Sequence, residues 1–179
     1  MKTNLFIILL LVLGPGASSQ ERKISFGTSL QGGWVHGASD NSWGIQVVNG
    51  VRYKTFSVGL GVGIDAYYFR SVPLFVDIRK RLRDKPQTPF VYAGLGTNLP
   101  KDKHSAEEWQ ESWYSGGLYY DVGIGYTWAL KGNLHFLFSL GYSQKHMGEE
   151  RKVIWSSSTK PDVYDYTFRR VVLRLGVSF

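Results

Sequence analysis

The stretch Phe56-Ser57-Val58-Gly59-Leu60-Gly61-Val62-Gly63-Ile64-Asp65 places a large apolar side chain at every second position and Gly, Ser or Asp at the others. On a strand, successive side chains point to opposite faces, so the two sets separate; on a helix of 3.6 residues per turn they would mix. Residues 112–128 repeat the device, with Leu118, Tyr120, Val122, Ile124, Tyr126 and Trp128 opposed to Tyr119, Asp121, Gly123, Gly125 and Thr127. The same period runs through Ile24, Phe26, Thr28 and Leu30, and through Leu74, Val76 and Ile78. It recurs in Leu134, Phe136, Phe138, Leu140 and Tyr142 after the turn signal Lys131-Gly132-Asn133, and in Val171, Leu173, Leu175, Val177 and Phe179. Residues 43–53 and 89–98 read as two more strands whose register stays open. Asn49 interrupts one candidate apolar face, and Phe90 with Tyr92 conflicts with an outward Val91, Ala93 and Leu95.

Eight strands result, and an even count puts both chain ends on one side of an up-and-down sheet. The links sort accordingly. Those near 53–55, 82–88 and 130–133 are short to moderate; 36–42, 98–111 and 147–163 read as longer polar loops, with 67–71 the short one among them. The chain has 179 residues, 43% of them hydrophobic and 15% aromatic, with 21 Gly and no Cys, which fits one domain and excludes disulfides and thiolate metal sites. A mean hydropathy of −0.17 is too polar for a bundle of membrane helices.

At the N-terminus, Lys2 precedes the apolar run Leu5 to Leu13 and then Gly14-Pro15-Gly16-Ala17-Ser18-Ser19, the three-part build of a secretory signal peptide. Nine apolar residues are about half of the ~20 a spanning helix needs. The expected organisation is a signal peptide over residues 1–19 and a barrel over 20–179. Removing Lys2, the only charge in the leader, lowers the formal net charge from +7 to +6. Export argues against nucleic acid as the partner. The densest basic run, Arg79, Lys80, Arg81, Arg83 and Lys85, reads as a solvated strand end, with anionic lipid headgroups as the functional alternative.

Sidedness separates two kinds of barrel. A soluble lipocalin-like binder would turn the apolar stripe inward, and a membrane barrel inverts it. Gly59, Gly61, Gly63, Gly123, Gly125 and Gly141 on the polar stripe save room rather than solvate, which suits the narrow interior of an eight-stranded barrel. Trp34, Tyr114, Tyr126, Trp128 and Tyr142 gather toward strand ends, where an aromatic girdle meets headgroups. Asp65, Asp77, Arg79, Asp121, His135, Arg170 and Arg174 then become an interior polar network of both signs, which must pair when enclosed. The expectation is a salt-bridged plug and no open channel.

The ending Leu175, Val177, Phe179 resembles the C-terminal strand of Gram-negative outer-membrane β-barrels, in which a final Phe belongs to the signal read by the barrel assembly machinery. Asn49-Gly50-Val51-Arg52-Tyr53, the glycine strand Val58 to Asp65, Val72-Pro73-Leu74-Phe75 and Thr88-Pro89-Phe90 look like small OmpA/OmpX-type outer-membrane β-barrel proteins, over essentially the whole mature chain. The resemblance implies an all-β, eight-stranded antiparallel up-and-down transmembrane barrel with periplasmic termini and turns, extracellular loops, and outer-membrane lipids and lipopolysaccharide as surroundings. It implies no shared reaction.

The residues point to no catalytic or metal site and no cofactor. His135 and Ser139 lie four residues apart on one strand face, about 13 Å at ~3.3 Å per residue, too far for direct proton transfer. The lipid A deacylases use a closer His and Ser pair facing the lipid, so lipid A modification is the alternative rather than the first reading. His36, His104 and His146 fall in or beside outer loops without ligand spacing. Loops 98–111, with Lys101, Asp102, Lys103, Glu107, Glu108 and Trp109, and 147–163, with Glu149, Glu150, Arg151 and Lys152, are the candidates for outside contact. The sequence thus reads as a monomeric, non-enzymatic barrel with a structural or surface-interaction role.

Overall fold

The computed structural model of the chain describes residues 24–38, 40–101, 104–107, 110–130, 132–153 and 161–179. The expected signal peptide lies outside them, as do Asp102, Lys103, Glu108 and Trp109. Among the described residues nine strands form: β1 (Ile24–Gly37), β2 (Asn41–Tyr53), β3 (Phe56–Asp65), β4 (Ser71–Arg81), β5 (Thr88–Pro100), β6 (His104–Glu107), β7 (Gln110–Ala129), β8 (His135–Val153) and β9 (Asp162–Ser178). Eight of them close a ring: each pairs antiparallel with the next, β5 pairs with β7, and β9 returns to β1. The four-residue β6 stands outside the ring and folds back on the start of β7. Closure removes every free edge from the ring, the condition a sheet must meet to sit in lipid.

Tight links close one end of the barrel. Lys54 and Thr55 join the Tyr53–Phe56 pair, with Lys54 at φ 54°, and Gly132 at φ 67° sits in the turn where Leu130 N donates to Leu134 O at 2.9 Å. The opposite end is uneven. β7, β8 and β9 have 20, 19 and 17 residues, against 10 and 11 in β3 and β4. Of the 147–163 loop expected from sequence, residues 147–153 belong to β8 and 162–163 to β9, while 154–160 lie outside the described residues; His146, expected in or beside that loop, lies within β8. Polar residues on both faces, as at Glu149 to Lys152, erase the hydropathy alternation that marks a strand in sequence.

The apolar stripe faces outward. Leu60 is 71% exposed, Val122 43%, Phe138 42% and Leu173 39%, while Asp65, Asp121 and Arg174 are buried. The two open registers resolve. Trp43, Ile45, Val51 and Tyr53 face outward on β2, and Asn49 shares their face by alternation. On β5, Val91 and Leu95 face outward while Phe90 and Tyr92 fill the lumen. A lumen that accepts rings opposite glycine makes both alternations compatible. Phe179 seals the β9–β1 seam: its carbonyl oxygen accepts from Thr28 N at 2.9 Å, and its N donates to Thr28 O at 3.0 Å.

Candidate functional site: the polar lumen and its mouths

The lumen is stacked in layers, starting from the tight-turn end. Gln46 Nε2 donates to Gln31 Oε1 at 2.8 Å, and Arg79 Nη2 reaches the same oxygen at 3.2 Å while Arg79 Nε bonds Asp77 Oδ1 at 2.7 Å. Above it, Arg174 Nη2 pairs with Asp121 Oδ2 at 2.6 Å, and Arg174 Nη1 donates to Tyr92 OH at 2.9 Å. Tyr92 and Tyr119 hydroxyls in turn donate to the two Asp121 oxygens at 3.2 and 3.4 Å. The guanidinium, carboxylate and two phenols satisfy one another, which is the requirement for enclosing charge.

The third layer centres on Asp65. Arg170 Nη1 bonds its Oδ2, Lys145 Nζ lies 3.4 Å from its Oδ1, and Tyr67 N donates to Oδ1 at 2.9 Å. Arg170 also donates to Ser143 Oγ at 2.8 Å. Lys145, with no exposed surface, donates to Tyr67 O at 2.7 Å, Phe69 O at 2.9 Å and Ser71 Oγ at 3.2 Å. The β3–β4 link, residues 66–70, is thereby drawn into the barrel. Tyr67 is buried against Val35, Met147, Phe168 and Val172, with Phe69 and Tyr166 packed on the cluster.

Beyond that plug, on the tall wall, Glu149 accepts from Ser112 Oγ at 3.0 Å, Arg151 Nη2 at 3.0 Å and Tyr166 OH at 3.0 Å. Burial pushes its carboxyl up, but these donors outweigh burial and hold it below the usual Glu value. The outward face turns polar lower down, on either side of Lys145. Tyr120 OH donates to Gln144 Oε1 at 2.7 Å, and Gln144 Nε2 lies 2.8 Å from His146 Nε2, whose Nδ1 lies 3.0 Å from Thr167 Oγ1. This chain marks the upper edge of the apolar belt.

Of the residues singled out from sequence, the structure joins Asp65 to Arg170, Asp77 to Arg79 and Asp121 to Arg174. His135 stands apart near the tight-turn end, its Nδ1 bonded to Asn133 O at 3.0 Å. Trp34 and Trp128, each 57% exposed, and Tyr126, at 38%, face outward, with Tyr142 half-buried. Tyr114 departs from the girdle expected for it. One extra residue on β7 between Gly116 and Tyr119 switches the parity, so Tyr114 shares the lumen side with Ser112 and its ring lies 5.1 Å from Phe69. Leu175 and Phe179 face outward, and Val177 is half-buried. His36 bonds Asn41 Oδ1 at 2.5 Å, and the His104 ring lies 5.3 Å from Trp113. Among the described residues, no three His, Cys, Asp or Glu side chains are placed to hold a metal ion.

Lys145, Tyr92, Gln31 and Gln46 were missed as network members. Lys145 was within reach of the sequence: extending the inward set Leu137, Ser139, Gly141 by two more steps lands on it.

No protein-family model matches the chain, and no curated protein matches it in sequence. Solved structures do match its fold. The outer membrane protein AlkL in lipid bilayers superposes with a TM-score of 0.60 at 11% identity, covering 93% of this chain and 94% of that one. Neisserial surface protein A gives 0.55 at 14% identity over 88% and 96%. The N-terminal β-barrel domain of Pseudomonas aeruginosa OprF gives 0.50 at 11% over 86% and 97%. At such identities the likeness is one of fold. With an outward apolar belt and an enclosed ionic lumen, this chain has the fold of the eight-stranded transmembrane β-barrels of outer membranes.

Proposed function

We propose that the protein is a non-enzymatic component of a Gram-negative outer membrane, with periplasmic termini and turns, that anchors a raised extracellular wall for structural or surface contact. The observation that carries this reading is the filled lumen. Three ionic layers and the inserted 66–70 link occupy the height of the barrel, which is the design of an anchor rather than a conduit. The expected environment is outer-membrane lipid and lipopolysaccharide. The leader of residues 1–19 directs export, and Leu175, Val177 and Phe179 address the chain to the barrel assembly machinery, leaving a monomer.

The strands fit that placement. An apolar belt about 25 Å tall takes tilted strands of roughly 9–11 residues, the length of β3 and β4, so the extra length of β7, β8 and β9 stands beyond the bilayer. Planar-bilayer recordings of the purified barrel are expected to show little steady conductance. A large, stable pore would overturn the anchor reading.

A further inference from the structure

The tight-turn mouth of the lumen holds a feature that anchoring does not use. A cavity of about 80 Å³ opens there, lined by Arg52, Arg79 and Arg81, by Asp77, and by the hydroxyl-bearing Ser57 and Thr127. Gly27, Gly50 and Gly59 leave the wall beside Arg52 bare, while Phe90 and Leu137 close the far side.

Its charges do not balance. Asp77 is engaged by Arg79 through contacts of 2.7 and 3.4 Å. Arg81 gives Nη2 to Lys54 O at 2.6 Å and to Asp84 at 3.3 Å, but Asp84 is 74% exposed in side chain and screened by solvent, and Arg81 Nε is buried with no hydrogen-bond partner. Arg52 faces the like charges of Arg79 and Arg81. The lining side chains carry three guanidiniums against one carboxylate, an excess of positive charge in a partly enclosed space that the main-chain carboxylate of Phe179, also at the cavity wall, offsets only in part. Elsewhere in this lumen the enclosed cations touch a carboxylate directly, Arg174 on Asp121 and both Arg170 and Lys145 on Asp65.

We infer that this cavity is an oxyanion site that takes one phosphate group, free or on a lipid headgroup, with Arg52 and Arg81 as its principal donors. Phosphate fits better than carboxylate on two counts. It carries about −1.5 to −2 at neutral pH, more than a carboxylate brings to the unpaired guanidinium charge, and its several acceptor oxygens suit a cluster of guanidiniums and hydroxyls. The exposed basic rim, Lys54, Arg83 and Lys85, adds attraction from outside the cavity.

The test is calorimetric titration of inorganic phosphate into the whole barrel, folded in a phosphate-free maltoside detergent with chloride buffer. Saturable binding at one site is expected. Arg52→Gln, which removes a charge and keeps a polar side chain, is expected to weaken it at least tenfold, with heat-modifiable gel mobility confirming that the variant folds. Lys85→Gln, on the rim, is expected to change it less than twofold. Ser57→Leu, which fills the cavity without altering charge, is expected to weaken binding as Arg52→Gln does. Competition by phosphatidylglycerol doped into the micelle assigns the site to a lipid headgroup, and its absence assigns it to the free anion. No saturable binding, or equal losses in Arg52→Gln and Lys85→Gln, would overturn the proposal, the second by reducing it to diffuse surface attraction.

Discussion

Asp121 shows how a single residue holds the lumen together. It is 1% exposed and accepts from Arg174, Tyr92 and Tyr119, so its removal leaves a guanidinium enclosed with only a phenol for company. Breaking a buried pair on one side costs about 3–5 kcal/mol, whereas replacing both partners with packed apolar groups is often neutral. Asp121→Leu is therefore expected to destabilise the barrel by that amount in urea unfolding, and Asp121→Leu with Arg174→Met to recover most of the loss. Strictly additive losses in the double variant would show that the two side chains act separately. The sequence displayed both residues on inward positions of strands far apart in the chain, but alternation gives a face and not a height. The ladder does not settle it either, since it sets Asp121 level with Ser143 and Ser143 level with Arg170; the pairings of Asp65 with Arg170 and of Asp121 with Arg174 emerge only from where the side chains reach across the lumen.

Strands fit one another through the exchange of ring for glycine. Gly61 on β3 lies directly opposite Phe75 on β4, and a Cβ on Gly61 would stand 2.3 Å from that ring. The Phe75 ring in turn lies 5.4 Å from Tyr119 across the lumen. Overpacking of this kind costs about 1–3 kcal/mol. Gly61→Ala is expected to fall in that range by the same unfolding measurement, and Phe75→Leu in the Gly61→Ala background to regain part of it. An unaffected Gly61→Ala single variant would mean that the ring moves freely aside. The same exchange explains which strands could be read beforehand. β3 keeps Ser, Gly and Asp inside, so hydropathy alone separates its faces. β5 puts Phe90 and Tyr92 inside against Gly125 and Gly141, so both faces look apolar and the register is lost to sequence. The β7 bulge is illegible for another reason: an inserted residue changes parity without changing composition, so alternation alone sends Tyr114 outward when it lies on the lumen side.

At the scale of the whole molecule, the barrel combines a short wall that just spans the belt with a tall wall that overshoots it by about eight residues, roughly 25 Å of strand. The link between the short strands β3 and β4 would leave the mouth open if it stood upright. It is instead folded in, and Lys145 on the tall wall holds it by Tyr67 O, Phe69 O and Ser71 Oγ. Two forces keep the plug seated: these charge-assisted bonds and the burial of Tyr67 with Val35, Met147, Phe168 and Val172. They can be separated. Lys145→Met keeps the bulk of the side chain and leaves Asp65 paired with Arg170, so the barrel wall is expected to survive while the link loses its cationic clasp. Amide exchange at residues 67–69 is then expected to speed up at least tenfold, with intermittent conductance appearing over the low wild-type background. If exchange at Tyr67 stays at the wild-type rate, the aromatic cluster alone seats the plug and Lys145 serves only to neutralise Asp65. The two outcomes assign the closure of this mouth either to an ionic latch or to hydrophobic packing.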